Sequence, residues 1–342
     1  MDEFNEAEIQ TLIALIELEQ PEKTPNNIDY EFYPQSIEQA EKYFRKFLVD
    51  WTDAYRTLLD RGLLVNNHDG FLLTDQGEKS ARQLRKERPP IWYWYREYYQ
   101  AAQTSKANAI FCERLYGKNL CQQGFVDMQD LNDLLKITRM NKNNQVLDLG
   151  CGNGMITEHI SDMTGARITG IDYIPEAIQQ AQERTRSKND RLSFQVGNMD
   201  RLNFPGQSFD TILSIDSIYM PNDLSGTIRQ MKEWVKPGGQ MAIFYSYALP
   251  ENQGANEDSL SPEKTPLATT LQRNELQFVS WDLTHRDYLH ALRKEKITKR
   301  LKDRFESEGN DFLYGMRISE ASGVRKAIES GTHVRYLYRV SM

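Results

Sequence analysis

Residues 146–154 read Val-Leu-Asp-Leu-Gly-Cys-Gly-Asn-Gly, a strand-like apolar run that passes into three alternating glycines, with a helical stretch beginning near Met155. Glycine suits such a junction, because the backbone must turn tightly and let a ligand approach where a Cβ would clash. The spacing is GxGxG, and Met155 stands where a dinucleotide fingerprint would place its third glycine. Twenty-four residues past Asp148, the run Ile168-Thr169-Gly170-Ile171-Asp172 ends a second strand in a carboxylate. A carboxylate there can accept hydrogen bonds from both hydroxyls of a ribose. The chemistry implied is retention of a nucleoside-bearing cofactor. The departure from GxGxxG, with Asp148 two residues ahead of the first glycine, favours a methyl donor over a nicotinamide.

These motifs resemble the class I (Rossmann-like) S-adenosylmethionine-dependent methyltransferases, from about residue 145 to at least 245 and more weakly to the end. The resemblance implies S-adenosyl-L-methionine as cofactor, with Asp148, Gly150, Cys151 and Gly152 around its methionine end. Asp172 then takes the ribose, and Tyr173 or Ile174 lines the adenine pocket. Cys151 needs no thiol chemistry, only small size between two glycines. The third strand closes on Val196-Gly197-Asn198-Met199, where relatives commonly carry an acid at the position of Asn198. An amide oxygen can still serve an adenine amino group, so Asn198 and Met199 are expected contacts. Phe209-Asp210-Thr211-Ile212-Leu213-Ser214-Ile215-Asp216 and Val235-Lys236-Pro237-Gly238-Gly239 match the fourth strand and the turn before the fifth.

Methyl transfer from a sulfonium is an in-line displacement, so a protein has mainly to align an acceptor lone pair and exclude water. Acceptor contacts in this fold gather at the carboxyl ends of the strands, which brings forward Asp216, Ser217, Tyr219 and Tyr245. The expected catalytic set is Asp216, Tyr219 and His285; a strand-end Asp216 can instead cap a helix, and the plainer reading of His285 is a surface histidine. The stretch Ile91-Trp92-Tyr93-Trp94-Tyr95-Arg96-Glu97-Tyr98-Tyr99 is strongly aromatic. On a helix Trp92, Tyr95 and Tyr99 share one face, which suits a cationic or planar acceptor, although a packed interdomain or dimer surface is the plainer reading. With Tyr245 these three form the expected substrate set. No histidine or cysteine cluster suggests a metal. The C-terminal part resembles small-molecule methyltransferases, amine-methylating members included, which implies a small-molecule acceptor and N-methylation. O- or S-methylation, or a DNA-binding regulator that senses the cofactor, are the alternatives.

The elements that must position these residues divide in three. Residues 1–88 carry helices at 6–19 and 36–60, a hairpin over 63–73 and a helix from Asp75 capped by Thr74, a pattern that resembles a winged helix. Pro89-Pro90 marks a linker, and 89–140 is a helical segment, 92–115 and then 128–137, that covers the cofactor. From 141 to 342 short apolar runs at 146–149, 167–171, 193–196, 211–215, 241–245, 278–283 and 334–340 alternate with helical stretches. The fold class is thus α/β: a Rossmann-like, doubly wound, mostly parallel seven-stranded sheet preceded by a mainly helical winged-helix-like domain. The stretch 252–266 is the expected mobile loop, and the basic run 293–302 a solvated helix face.

Lys and Arg total 42 against 49 Asp and Glu, a formal charge of −7, which disfavours phosphate-backbone binding as the main activity. No apolar run approaches the ~18 residues of a membrane span, the acidic opening lacks a secretory signature, and three cysteines lack metal or redox spacing. A cytoplasmic protein is expected, with a homodimer left open.

Overall fold

The computed structural model describes residues 4–20, 36–44, 50–67, 70–249 and 257–342. It comprises two compact units, Met1–Tyr98 and Tyr99–Met342.

In the first unit, helix α1 (Glu6–Glu19) is the central element. Asn5 caps it in a reciprocal box with Glu8, accepting from the Glu8 amide at 3.0 Å while Glu8 accepts from the Asn5 amide at 3.2 Å. Around it pack α2 (Ile37–Phe44), α3 (Thr52–Asp60), the antiparallel hairpin β1 (Leu64–Asn67) and β2 (Gly70–Leu73), and α4 (Asp75–Glu87), which Thr74 caps through the Gly77 amide. The polar groups that α1 buries find partners. Glu17 pairs with Arg85 at 3.2 Å, and Gln10 accepts from the Trp51 indole at 2.9 Å. The single helix expected over 36–60 is not continuous. A new helix begins after Trp51, where Asp50 accepts from the Thr52 amide at 2.9 Å; residues 45–49 lie outside the described residues. Helix α5 (Pro90–Thr104) starts on proline, whose missing N–H is an orphan donor there anyway.

In the second unit α6 (Lys106–Tyr116) follows, so the helix expected over 92–115 is two helices. Ser105 breaks it by capping α6 through the Asn108 amide at 3.0 Å. After α7 (Met128–Thr138) the chain alternates: β3 (Gln145–Leu149), α8 (Met155–Thr164), β4 (Arg167–Asp172), α9 (Pro175–Arg184), β5 (Leu192–Val196), β6 (Phe209–Ile215), α10 (Leu224–Trp234), β7 (Val235–Ala248), α11 (Pro266–Arg273) and β8 (Gln277–Asp282). Three helices, α12 (Thr284–Arg300), α13 (Lys302–Ser307) and α14 (Asp311–Glu329), then precede β9 (His333–Ser341).

The seven strands lie in the order β5-β4-β3-β6-β7-β9-β8, parallel except for β9, which runs antiparallel to both neighbours. This is the doubly wound sheet expected. The two-residue period of β3 sorts its side chains between two cores: Leu147 and Leu149 pack with α10 and α11 on one face, Val146 with α7, α8 and α9 on the other. Because the chain winds outward through β4 and β5 and then returns to β6, the strand order reverses at β3 and β6. That opens a crevice at their carboxyl ends, where such sheets bind ligands. Part of the loop expected at 252–266 falls on 250–256, outside the described residues. The basic run is not uniformly solvated, since Lys294 is fully buried.

Candidate active site

The glycine turn follows β3 at the crevice. Gly150, Gly152 and Gly154 have φ of 76°, 56° and 71°, in the left-handed region. The Gly150 and Cys151 amides donate to the Ile171 carbonyl at 2.8 and 3.0 Å, which ties the turn to β4. A Cβ on Gly152 would overlap the Tyr99 phenol, 2.9 Å from its Cζ. Tyr99 therefore rests on bare peptide. Met199, buried, reaches the same turn with its methyl group beside Gly150. Cys151 lies against Gly170 of β4, and burial pushes its thiol well up, so it is a packing residue.

Two carboxylates flank the turn. Asp148 is buried and accepts from the Thr157 hydroxyl of α8 at 2.6 Å; burial pushes its carboxyl up to about 6. Asp172, at the end of β4, accepts from the Gly152 amide through Oδ2 and from the Ile174 amide through Oδ1, each at 2.9 Å. Burial also raises it to about 6 against the pull of the Ile174, Gly152 and Tyr173 amides. A carboxylate offers about four acceptor positions, so each Asp172 oxygen keeps one after its backbone bond. Two oriented oxygens at the crevice fit the paired hydroxyls of a ribose, and the residues present fit an S-adenosylmethionine-like nucleoside. Tyr173 is half-buried beside Asp172. Asn198 uses its side-chain oxygen to accept from the Asp200 amide at 2.9 Å, which leaves that oxygen one further acceptor position.

On the other side of the crevice Ser217, buried, donates to the Leu149 carbonyl and shares a bond with Ser214, pinning the ends of β3 and β6 together. Asp216 has φ of 51°, left-handed for a residue with a Cβ. Its carboxylate is gripped by the fully buried Arg335: Nη2 donates to both oxygens at 3.0 Å and Nε to Oδ1 at 3.2 Å. Tyr219 and Tyr245 pack with ring centroids 6.0 Å apart in the core that holds Tyr336 and Tyr338, and burial holds the Tyr245 phenol far above its ordinary range. Asp216, Tyr219 and Tyr245 are thus brought to the carboxyl end of β6 and β7.

His285 is exposed in the first turn of α12, just past β8, four strands from β3 or about 19 Å at ~4.8 Å per strand. Trp92 and Tyr95 belong to the first unit, packed edge-on against Tyr93 and Trp94 at 4.9 and 5.0 Å. Sequence reasoning passed over Thr157 and Arg335 as site residues. The signal for Arg335 is a charged residue in a terminal apolar strand, in register with Leu337 on the core face, which requires a buried partner. Among the described residues no group of three or more metal-ligating side chains is assembled, and no helix is long and apolar enough to cross a membrane.

A sheet of this order, with a glycine turn after its first strand and acids at the ends of its first, second and fourth, defines the class I methyltransferase fold. Residues 140–301 match a family described as a methyltransferase domain, and the second unit has the class I methyltransferase fold. It is 26% identical over 165 residues to 27-O-demethylrifamycin SV methyltransferase of Amycolatopsis mediterranei, covering 45% of this chain and 60% of that one. It is 26% identical over 152 residues to phosphoethanolamine N-methyltransferase 1 of Arabidopsis thaliana, covering 44% and 30%. The chain thus spans less than two thirds of either relative. Phosphoethanolamine N-methyltransferase 2 of Haemonchus contortus, solved with phosphomonomethylethanolamine and S-adenosylhomocysteine, shares the fold at a TM-score of 0.52 and 18% identity, over 72% of this chain and 59% of that one.

Proposed function

We propose that the protein transfers a methyl group from S-adenosylmethionine to the nitrogen of a small-molecule amine. The observation that supports an amine is Asp216, a carboxylate just past the carboxyl end of β6, with the Tyr219 and Tyr245 ring pair at the same end of the sheet. Carboxylate and aromatic faces both favour a nitrogen centre carrying N–H or positive charge. The fold and domain match are shared with relatives named for oxygen and for nitrogen acceptors, so the preference for nitrogen rests on Asp216.

When bound, S-adenosylmethionine supplies a sulfonium-activated methyl for in-line displacement. Asp172 holds the ribose with the oxygens that the Gly152 and Ile174 amides orient. Asp148 and the glycine turn face the methionine end, where the buried carboxylate meets an ammonium group. Asn198 and Met199 border the adenine, and Tyr99 covers the turn and excludes water. Asp216 sets its negative charge toward the nitrogen of the amine, and the Tyr219 and Tyr245 ring pair bounds the acceptor end of the sheet. For the remaining segments the proposal is an accessory winged-helix-like domain over 1–88 and a covering segment over 89–140, in a reducing compartment that suits the free Cys112, Cys121 and Cys151.

The test is mass spectrometry of protein incubated with isotopically labelled donor and a panel of acceptors: phosphoethanolamine, ethanolamine and methylamine against catechol and thiophenol. Label on an amine supports the reading. Absence of calorimetric heat with the donor, or label on oxygen or sulfur alone, overturns it. Salt-dependent binding of duplex DNA by the whole chain would favour the regulator instead.

A further inference from the structure

Arg335 is fully buried on β9, and its guanidinium lies 5.1 Å from the centre of the Phe244 ring. Three carboxylates meet it: Asp216 at 3.0 Å, Asp287 of α12 at 3.1 Å and Asp130 of α7 at 3.4 Å. The grip is divided by atom. Nη1 serves Asp287 and Asp130, whereas Nε and Nη2 are committed to Asp216 in a side-on fork. Asp130 has a second cation in Arg286 at 3.0 Å, whereas among the described residues Asp216 pairs with Arg335 alone. Asp216 also sits at a left-handed φ of 51° past the end of the β6 ladder, so no strand bond fixes its direction.

The same carboxylate organises the segment between α6 and α7. The Phe125 amide faces Asp216 Oδ2 at 3.5 Å, and Gly124, at φ of 97°, packs close enough that a Cβ there would lie 3.0 Å from that oxygen. The Gly124 carbonyl is itself held by the Tyr116 hydroxyl at 2.8 Å and by buried Lys294 at 3.0 Å. Arg335 thus fixes the carboxylate from beneath while the 124–125 backbone bounds it from the side.

We propose that Arg335 is the positioning residue of the acceptor site: its fork, with the Phe125 amide, fixes the plane in which Asp216 presents its negative charge to the acceptor nitrogen. This rests on the reading of Asp216 as the acceptor contact. A guanidinium fork fixes a carboxylate plane, and an ammonium, a point charge with rotatable donors, does not. Lysine at 335 therefore keeps the charge and loses the aim.

The experiment compares wild type, Arg335→Lys and Asp216→Asn by thermal melting, calorimetric donor affinity, and kcat and KM for whichever amine of the panel wild type methylates fastest. Arg335→Lys is expected to bind donor within about twofold of wild type and to lose on the order of tenfold or more in kcat, the scale of misalignment at a reacting centre, with little change in acceptor KM. Wild-type kcat in a folded Arg335→Lys, or a loss that tracks weakened donor binding, overturns the proposal. Should Arg335→Lys fail to fold, Asp216→Asn carries the test: the same kcat loss with intact donor affinity supports it, and unchanged kcat overturns it. If wild type binds donor but methylates no amine, the amine reading fails and this proposal with it. If wild type methylates and Arg335→Lys does so equally, this proposal alone fails.

Discussion

Replacing Asp172 by asparagine changes one atom and removes one charge, at a residue whose two oxygens each accept one backbone N–H at 2.9 Å. Asparagine keeps one carbonyl oxygen. Its NH2 must then face either the Gly152 or the Ile174 amide, donor against donor, so one buried N–H loses its partner at a cost of about 1–3 kcal/mol in stability. The ribose loses a charge-assisted acceptor as well, worth about 1.5–3 kcal/mol, which is roughly 10- to 150-fold in donor affinity. Isothermal titration of S-adenosylmethionine into folded Asp172→Asn at pH 7.5 reads this directly, and a melting curve without donor separates the stability loss from the binding loss. A folded variant with wild-type affinity would refute the assignment of Asp172 to the ribose, whatever its melting temperature.

Alanine at Gly152 should be harmful on two counts: φ of 56° costs a Cβ-bearing residue about 1–2 kcal/mol, and the new methyl displaces the Tyr99 phenol. Both melting temperature and donor affinity are expected to fall; an unchanged melt would mean that Tyr99 does not pack on the turn. Thr157→Val removes the hydroxyl that serves buried Asp148, and should destabilise by about 1–3 kcal/mol in denaturant titrations while leaving the β-sheet circular dichroism intact. The pH response has two opposite parts. Burial raises Asp148 and Asp172 from 3.8 to about 6, so the native state holds these protons more tightly than the unfolded chain; their stabilising share in donor-free protein is full below pH 3.8 and is lost as pH rises through 6. Donor binding wants the ionised forms, so affinity should strengthen from pH 5 to pH 7; a flat calorimetric profile over that range would remove ionised Asp172 from the site.

The donor half was legible because its signals are local. Strand, glycines and Asp148 lie within ten residues, and Asp172 follows one helix later. The register of Leu147 and Leu149 against Val146 could be read from alternation alone. What stayed hidden was set by pairs distant in the chain. Asp216 read as a strand-end acid that meets an acceptor or caps a helix, and only the return of β9 beside β7 brings Arg335 to it. Lys294 read as one more surface cation in a basic run, and only the approach of Gly124 and Glu320 shows why it is buried. Ser105 is a competitor that pattern counting ignores: its hydroxyl serves an amide three residues on, and helical periodicity continues across the break. Proximity of Tyr99 to Gly152 likewise needs the tertiary structure, since nothing in the aromatic run says which ring will meet the turn.

The placement of β9 has a consequence for how the domain comes into being. Of all the sheet strands it is made last, yet it lies between β7 and β8, and β8 has no other neighbour. During synthesis the first five strands can assemble as they emerge, whereas β8 must wait for a strand partner until residues 333–341 leave the ribosome. The final strand to arrive is also the one that delivers Arg335 to Asp216. A chain interrupted before that point would hold a formed nucleoside crevice and an unaimed carboxylate, so the capacity to grasp the donor would precede, by one strand, the capacity to direct its methyl group.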